Sequence, residues 1–208
     1  MARYLDIHPQ DPQPRLITQA VQILADGGLI AYPTDSGYAL GCALGNQEGK
    51  ERIASIRRLG DRHHYTLVCS SFAQLGHFVL IDNRVFRAVK AATPGPFTFI
   101  LPATKEVPRR LMHPKKKTVG VRLPDHRLVA ALLAEVGEPL LSSTLILPGQ
   151  DDPLTEGWVV GQEIGHLVDA VIEGECGLEP TTVVDFSGGA PVIARFGAGD
   201  ASLFVDEE

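Results

Sequence analysis

At 208 residues, with 44% hydrophobic and 21% charged side chains, the chain carries enough apolar material for one large α/β domain or two small ones, which excludes a disordered or fibrous protein. No apolar run approaches the roughly 20 residues that span a bilayer, and the opening "MARYLDIHPQDPQPR" has no apolar signal core, so a cytoplasmic protein without a membrane partner is expected. The net charge of −6 conceals a segregation: residues 1–127 hold 18 of the 19 Lys and Arg against 10 acids, while the remaining 81 residues hold 15 acids and the single base Arg195. Such asymmetry suits a face built for an anion, a nucleotide or RNA, although uneven surface composition explains it equally well.

In chain order, Asp11–Pro12 predicts a helix start, with Leu16, Ile17, Val21 and Leu24 at helical spacing and Gly27–Gly28 as the stop. "LIAYP" reads as a buried strand that breaks into the small polar turn Thr34, Asp35, Ser36, Gly37. Asn46 caps a helix through Ile53, Ile56 and Leu59 that Gly60 ends. "YTLVCS" is a short strand, Asp82 or Asn83 opens the helix "RVFRAVKAA", and "FTFILPA" follows the break "TPGP" as a strand. "TVGVRLP" is another strand, and Pro124–Asp125 starts the helix "HRLVAALLAEVG". "PLLSSTLI" is a strand, a helix containing Ile164 and Leu167 follows Thr155, and "DAVIEG", "TTVVDF" and "PVIARFG" close the chain as strands. Strands separated by helices predict one α/β domain, a twisted open sheet with flanking helices. The last three strands lack helices between them, so the sheet should be mixed.

The common catalytic signatures are missing: no GxxxxGK[ST], no HExxH, no GxSxG. The three cysteines, Cys42, Cys69 and Cys176, form no CxxC pair and read as free thiols. The seven histidines do not cluster; His63 and His64 are adjacent and would point to opposite faces of a strand, so no metal site is expected. What remains is a set of polar groups at strand ends: Thr34, Ser36, Arg57, Arg58, Thr98, Arg122, Ser142, Ser143, Thr144, Thr181, Thr182 and Arg195. Ligands of open α/β sheets bind outside strand ends, where hydroxyls hold phosphate oxygens and arginines neutralise them. Each hydroxyl alone is as well explained by β-propensity. Arg195 is not, being the only cation in an acidic stretch.

Six segments, "AYPTDSGYALGC", "TPGPFTFIL", "GVRLPDH", "LLSSTL", "EPTTVVDF" and "VIARFG", follow the order of the YrdC-like family, and the chain resembles its YciO branch from about residue 3 to 204. The resemblance implies an open-sheet domain with a basic concave face. It also implies binding of ATP or an adenylate, and tRNA modification through L-threonylcarbamoyladenylate. In that chemistry L-threonine and bicarbonate give an N-carboxylate that attacks the α-phosphorus of ATP, Mg²⁺ accompanies the nucleotide, and pyrophosphate leaves. On this resemblance Arg57, Arg58 and Arg195 would be catalytic phosphate contacts, and Thr34, Arg122, Ser142, Thr144 and Thr181 would bind substrate.

Two departures stand beside the resemblance. Synthase-type members carry Lys/Arg-x-Arg at the helix end, which here places Leu59 where the second arginine would be; Arg58 or Arg62 is the candidate replacement. They also carry Ser-x-Asn in the serine strand, where this chain has Ile146 for the Asn. The alternatives are therefore a protein that binds or hydrolyses the adenylate without making it, and a binder of double-stranded RNA or tRNA. For the last, Lys105, Arg109, Arg110, Lys115, Lys116 and Lys117 fall within 13 residues, a pattern suited to an RNA backbone and equally to a solvated loop.

Overall fold

A computed structural model describes residues 1–60, 63 and 65–204. The elements run β1 (Arg3–Asp6), α1 (Pro14–Ala25), β2 (Ile30–Thr34), β3 (Gly37–Ala43), α2 (Gln47–Arg57), β4 (Thr66–Val68), α3 (Phe72–Phe78), α4 (Asn83–Ala91) and β5 (Phe97–Pro102). They continue through β6 (Thr118–Arg122), α5 (Arg127–Val136), β7 (Leu140–Thr144), α6 (Gly157–Ile164), β8 (Ala170–Glu173), β9 (Thr182–Asp185) and β10 (Val192–Arg195). All ten strands join one sheet in the order β1-β8-β2-β3-β7-β4-β6-β5-β9-β10. Parallel pairs such as β4/β6 and β5/β9 alternate with antiparallel ones such as β3/β7 and β9/β10, so the sheet is mixed.

The two faces are clothed differently. On one, the apolar sides of α2, α3, α4 and α6 (Ile53, Leu75, Val85, Val89, Val160) meet Leu40, Leu67, Phe99 and Val121 in a large core. On the other, α1 and α5 pack Ile17, Leu24, Leu128 and Leu132 against Ile30, Tyr32, Val68 and Ile172. Strand register continues that second face through Thr66, Gly120, Ile100, Thr98 and Val183, because directly paired residues point the same way. Two helices cannot cover ten strands, and the uncovered stretch becomes a cavity floor.

Local chemistry explains most boundaries. The Asn46 side chain accepts from the Gly49 N–H at 2.9 Å and caps α2. That helix ends at Arg57, earlier than Gly60, because Arg58 turns left-handed at φ +50° and its N–H closes on Ala54 and Ser55. Helix α1 starts at Pro14, past Asp11–Pro12, and α6 includes Ile164 but stops before Leu167. The "PTDSG" break is the tip of the β2–β3 hairpin. Thr34 Oγ1 donates to the Gly37 carbonyl at 2.7 Å and accepts from the Ser36 N–H at 3.1 Å. Gly37 sits at φ +95°, where a Cβ would also meet Pro153 at 2.7 Å. Among the described residues, no helix is long and apolar enough to cross a membrane.

Candidate functional site: an arginine-flanked cavity

A cavity of about 290 Å³ opens on the uncovered floor, lined by Thr66, Thr98, Ile100, Gly120 and Val183 and walled by Arg57, Ser143, Thr144 and Ile146 on one side and Thr181 and Arg195 on the other. Gly120 lies flat there because a Cβ would meet Thr66 Oγ1 and the Tyr65 carbonyl at 3.0 Å. The two walls lie far apart in the sheet order: β7 carries Ser143, and β10, five places away, ends in Arg195. Flat strands would separate them by about 24 Å. That both line one small cavity means that the sheet curls, giving the site a concave floor.

Each arginine is aimed by polar contacts that use only part of it. Arg57, at the end of α2, donates from Nε to the Ile146 carbonyl (3.3 Å) and from Nη1 to Ser143 Oγ (2.5 Å). His63 Nε2 lies 3.2 Å from the same hydroxyl. Arg195 donates from Nε and Nη2 to the Thr181 carbonyl (3.0 and 2.9 Å) and from Nη2 to Thr181 Oγ1, itself 2.9 Å from Thr98 Oγ1. Among the described residues, Nη2 of Arg57 and Nη1 of Arg195 have no partner, and neither guanidinium pairs with a carboxylate.

Burial, reinforced by the charge of Arg195, lowers Arg57 to about 10, against a smaller opposing effect of Tyr65. Burial and then the charge of Arg122 lower Arg195. Both stay cationic at neutral pH, held in partial desolvation without a counter-ion among the described residues. An anion would relieve that state, and the free N–H groups would bind it with charge-assisted hydrogen bonds.

The structure thus brings Arg57, Thr98, Ser143, Thr144, Thr181 and Arg195 together in the cavity lining and places the other residues singled out in the sequence outside it. Thr34 lies outside the cavity, 1% exposed, its hydroxyl committed to the hairpin turn. Arg58 is exposed at the left-handed helix end and lines no part of the cavity. Ser142 faces the floor side but bonds Tyr32 Oη and the Leu40 carbonyl, both at 2.8 Å. Its neighbour Ser143, on the other face, is the one that Arg57 reaches. Arg122 is 5% exposed and paired with Asp35. The replacement candidate Arg62, like His64, lies outside the described residues. His63 and Thr66 are cavity residues to which the sequence gave no role; strand alternation, with the covered face known, would have singled out Thr66.

The basic loop stands apart from the cavity. Arg110 Nη2 donates to the Gly45 carbonyl at 2.6 Å, and Lys116 Nζ bonds Asp185 at 3.2 Å and Ser187 at 3.1 Å. Among the described residues, the side chains of Arg109, Lys115 and Lys117 are exposed without a bond.

Fold and site together define a protein of the Sua5–YciO–YrdC class. Residues 22–197 match that family's model, described as "Telomere recombination", and the chain belongs to the family. It is 47% identical over 207 residues to a protein of Haemophilus influenzae, covering 99% of this chain and 100% of that one. It is also similar to the crystal structure of E. coli YciO, with 46% identity, a TM-score of 0.96, and coverage of 99% of this chain and 100% of the other. The fold extends to P. abyssi Sua5, crystallised with L-threonine, with a TM-score of 0.86 at 24% identity over 94% of this chain and 58% of that one.

Proposed function

We propose that the cavity binds the phosphate of ATP or of an adenylate, of the L-threonylcarbamoyladenylate type, and that synthesis of the adenylate from L-threonine, bicarbonate and ATP is slow. The observation that carries this reading is the pair Arg57 and Arg195, each with a free terminal nitrogen, flanking one hydroxyl-rich cavity. Thr144, Thr181 and Thr66 add hydroxyls to the same lining.

At about 290 Å³ the cavity lies at the small end of ligand pockets, which run from roughly 300 to 1,000 Å³. It fits a phosphoryl group with its attached acyl or ribose portion, leaving the rest of a nucleotide outside. The described lining residues include no carboxylate, and no group of three or more metal-binding side chains occurs among the described residues. Mg²⁺ therefore fits as an ion carried on the phosphates of ATP, not as one seated in a protein cage.

Synthesis demands more than binding, because charge develops on the departing pyrophosphate. Ile146 lines the wall where a family amide would donate, and Leu59 is packed against the apolar core. Neither can stabilise that charge.

Calorimetry with AMP and ATP, beside pyrophosphate release with L-threonine and bicarbonate, tests the reading. Saturable AMP binding that weakens in Arg57→Gln and Arg195→Gln, with slow pyrophosphate release, is the expected result. Nucleotide affinity unchanged in both variants would sink it.

A further inference from the structure

The loop from Ala103 to Lys117 joins β5 to β6 and is anchored as a solvated loop need not be. Val107 and Leu111, 1% and 3% exposed, tie it to the core. Thr104 Oγ1 donates to the His77 carbonyl at 2.7 Å, and His113 Nδ1 accepts from the Lys115 and Lys116 N–H groups at 3.3 and 3.1 Å. The pairing of β5 with β6 runs past the strand ends, the Ala103 N–H donating to the Lys117 carbonyl at 3.0 Å. Held in this way, the loop encloses a second cavity of about 590 Å³, lined by Ala103, Thr104, Lys105, Arg109, Met112 and Lys117. It shares no lining residue with the arginine-flanked cavity.

Bonding sorts the six Lys and Arg of this loop. Arg110 and Lys116 are turned to the protein's own acceptors, the Gly45 carbonyl for one and Asp185 with Ser187 for the other. The side chains of Lys105, Arg109 and Lys117 are exposed, make no hydrogen bond or ion pair among the described residues, and all line the cavity. Lys115 is as exposed but lines no part of it. No carboxylate belongs to the described lining. The backbone shows the same bias. Lys117 stands at φ +54°, a left-handed conformation that disfavours side chains and suits Gly or Asn. A lysine there sets its ammonium at the cavity, while its N–H is held by the His113 carbonyl at 2.9 Å.

Three unopposed cations around one recess repel one another until a polyvalent anion enters. A single phosphate carries too little charge to answer all three, and a linear di- or triphosphate answers them. The room suffices, since a sphere of that volume is about 10 Å across. Met112 and Ala103 give the lining some apolar surface but no aromatic face, so nothing there stacks on a nucleobase. An RNA duplex is a stiff rod that meets cations standing out from a surface, as Lys115 does, and not cations gathered in a recess.

We infer that this second cavity is a seat for a short phosphate chain of two or three phosphates, free or as the tail of a nucleoside triphosphate. The inference is independent of the nucleotide reading of the first cavity.

The probes are tripolyphosphate, pyrophosphate and ATP, titrated by calorimetry at constant salt. Tripolyphosphate should bind the unaltered chain more tightly than pyrophosphate, and keep its affinity in Arg57→Gln/Arg195→Gln, where the first cavity has lost its cations. Lys105→Ala/Lys117→Ala should weaken it by about tenfold or more and Lys117→Gly by about fivefold, whereas Lys115→Ala should stay within about twofold. Lys117→Gly removes the ammonium and suits the left-handed backbone, so its thermal midpoint should not fall and a lost affinity is not a lost fold. In the Arg57→Gln/Arg195→Gln background, ATP binding as tight as tripolyphosphate assigns the seat to any terminal phosphate chain; weaker ATP binding assigns it to the free chain.

A loss in Lys115→Ala equal to that in Lys117→Gly would overturn the inference, because it describes general attraction to a basic surface. Tripolyphosphate affinity unchanged in Lys105→Ala/Lys117→Ala, or abolished in Arg57→Gln/Arg195→Gln, would overturn it too. So would a short RNA duplex that binds through Lys105, Arg109 and Lys117 while tripolyphosphate does not bind at all.

Discussion

Arg57 and Arg195 line opposite walls of one cavity, and the charge of Arg195 helps to lower the pKa of Arg57. Two cations held in one cavity with no carboxylate among its described lining residues repel, and only an anion turns that repulsion into binding. Hydrogen bonds to charged groups contribute about 1.5–3 kcal/mol. Replacing either arginine by Gln should therefore weaken AMP binding by about 10- to 100-fold, with the thermal midpoint unchanged or raised. Calorimetry on the two variants checks it. An affinity within twofold of the parent's for both would remove these residues from the site.

Ile146 is half-buried on the same wall, and its own carbonyl anchors Arg57. Ile146→Asn keeps that carbonyl and adds an amide facing the cavity. Pyrophosphate release from ATP with L-threonine and bicarbonate should rise by about tenfold or more, in keeping with the effect of one added donor on a developing anion. A rate that stays flat, with Asn tolerated and AMP still bound, would place the block to synthesis elsewhere.

Alkaline conditions should loosen the fold. Burial pushes the Cys42 and Cys69 thiols up to about 12, and burial likewise raises the Tyr32 hydroxyl to about 12 against the opposing bond from Ser142. In the unfolded chain these groups release their protons near their ordinary values of 9.0 and 10.0. Between pH 9 and 12 the folded state thus holds more protons than the unfolded one, and stability falls as pH rises. Urea midpoints at pH 8, 10 and 11 should decrease in that order, and Cys42 and Cys69 should resist an aromatic disulfide reagent at pH 8. A midpoint that climbs with pH contradicts the assignment.

Duplex RNA, if held by the basic loop, makes a separate demand. With Arg110 and Lys116 engaged internally, Lys105, Arg109, Lys115 and Lys117 supply four contacts. Affinity should then fall with a log–log salt slope of about −4, and Lys115→Ala with Lys117→Ala should bring the slope to about −2. Fluorescence anisotropy on a short duplex measures both. A slope that ignores these substitutions would take the loop out of RNA binding.

Much of the architecture could be read from the chain because its signals are local. Asn46, Asp82 and the Gly137 stop each fix a helix end through bonds within a few residues. The elements that escaped notice lack such signals. Strand β1 buries only Leu5 of its four residues, α3 is seven residues with a glycine inside, and β3 is buried along nearly its whole length, so that it shows no alternation after the polar turn. Of the candidate cavity, Arg57, Thr98, Ser143, Thr144, Thr181 and Arg195 were legible in the sequence, and His63 and Thr66 were not. Residue types at strand ends suit an anion, but setting Ser142 and Thr34 aside depends on what their hydroxyls bond, Tyr32 and the Leu40 carbonyl for Ser142 and the hairpin turn for Thr34, and no local pattern in the chain states those partners.

The bonds that shape the cavity join residues far apart in the chain: Arg57 with Ser143, Thr98 with Thr181, and Thr181 with Arg195. A chain emerging from the ribosome therefore possesses no complete pocket until residue 195 has been made and folded back beside β9. Contacts of such long sequence separation form late, so the pocket belongs to the finished molecule alone. A ligand that fits it would act as an inspector of completed folding, stabilising whole chains and ignoring truncated ones.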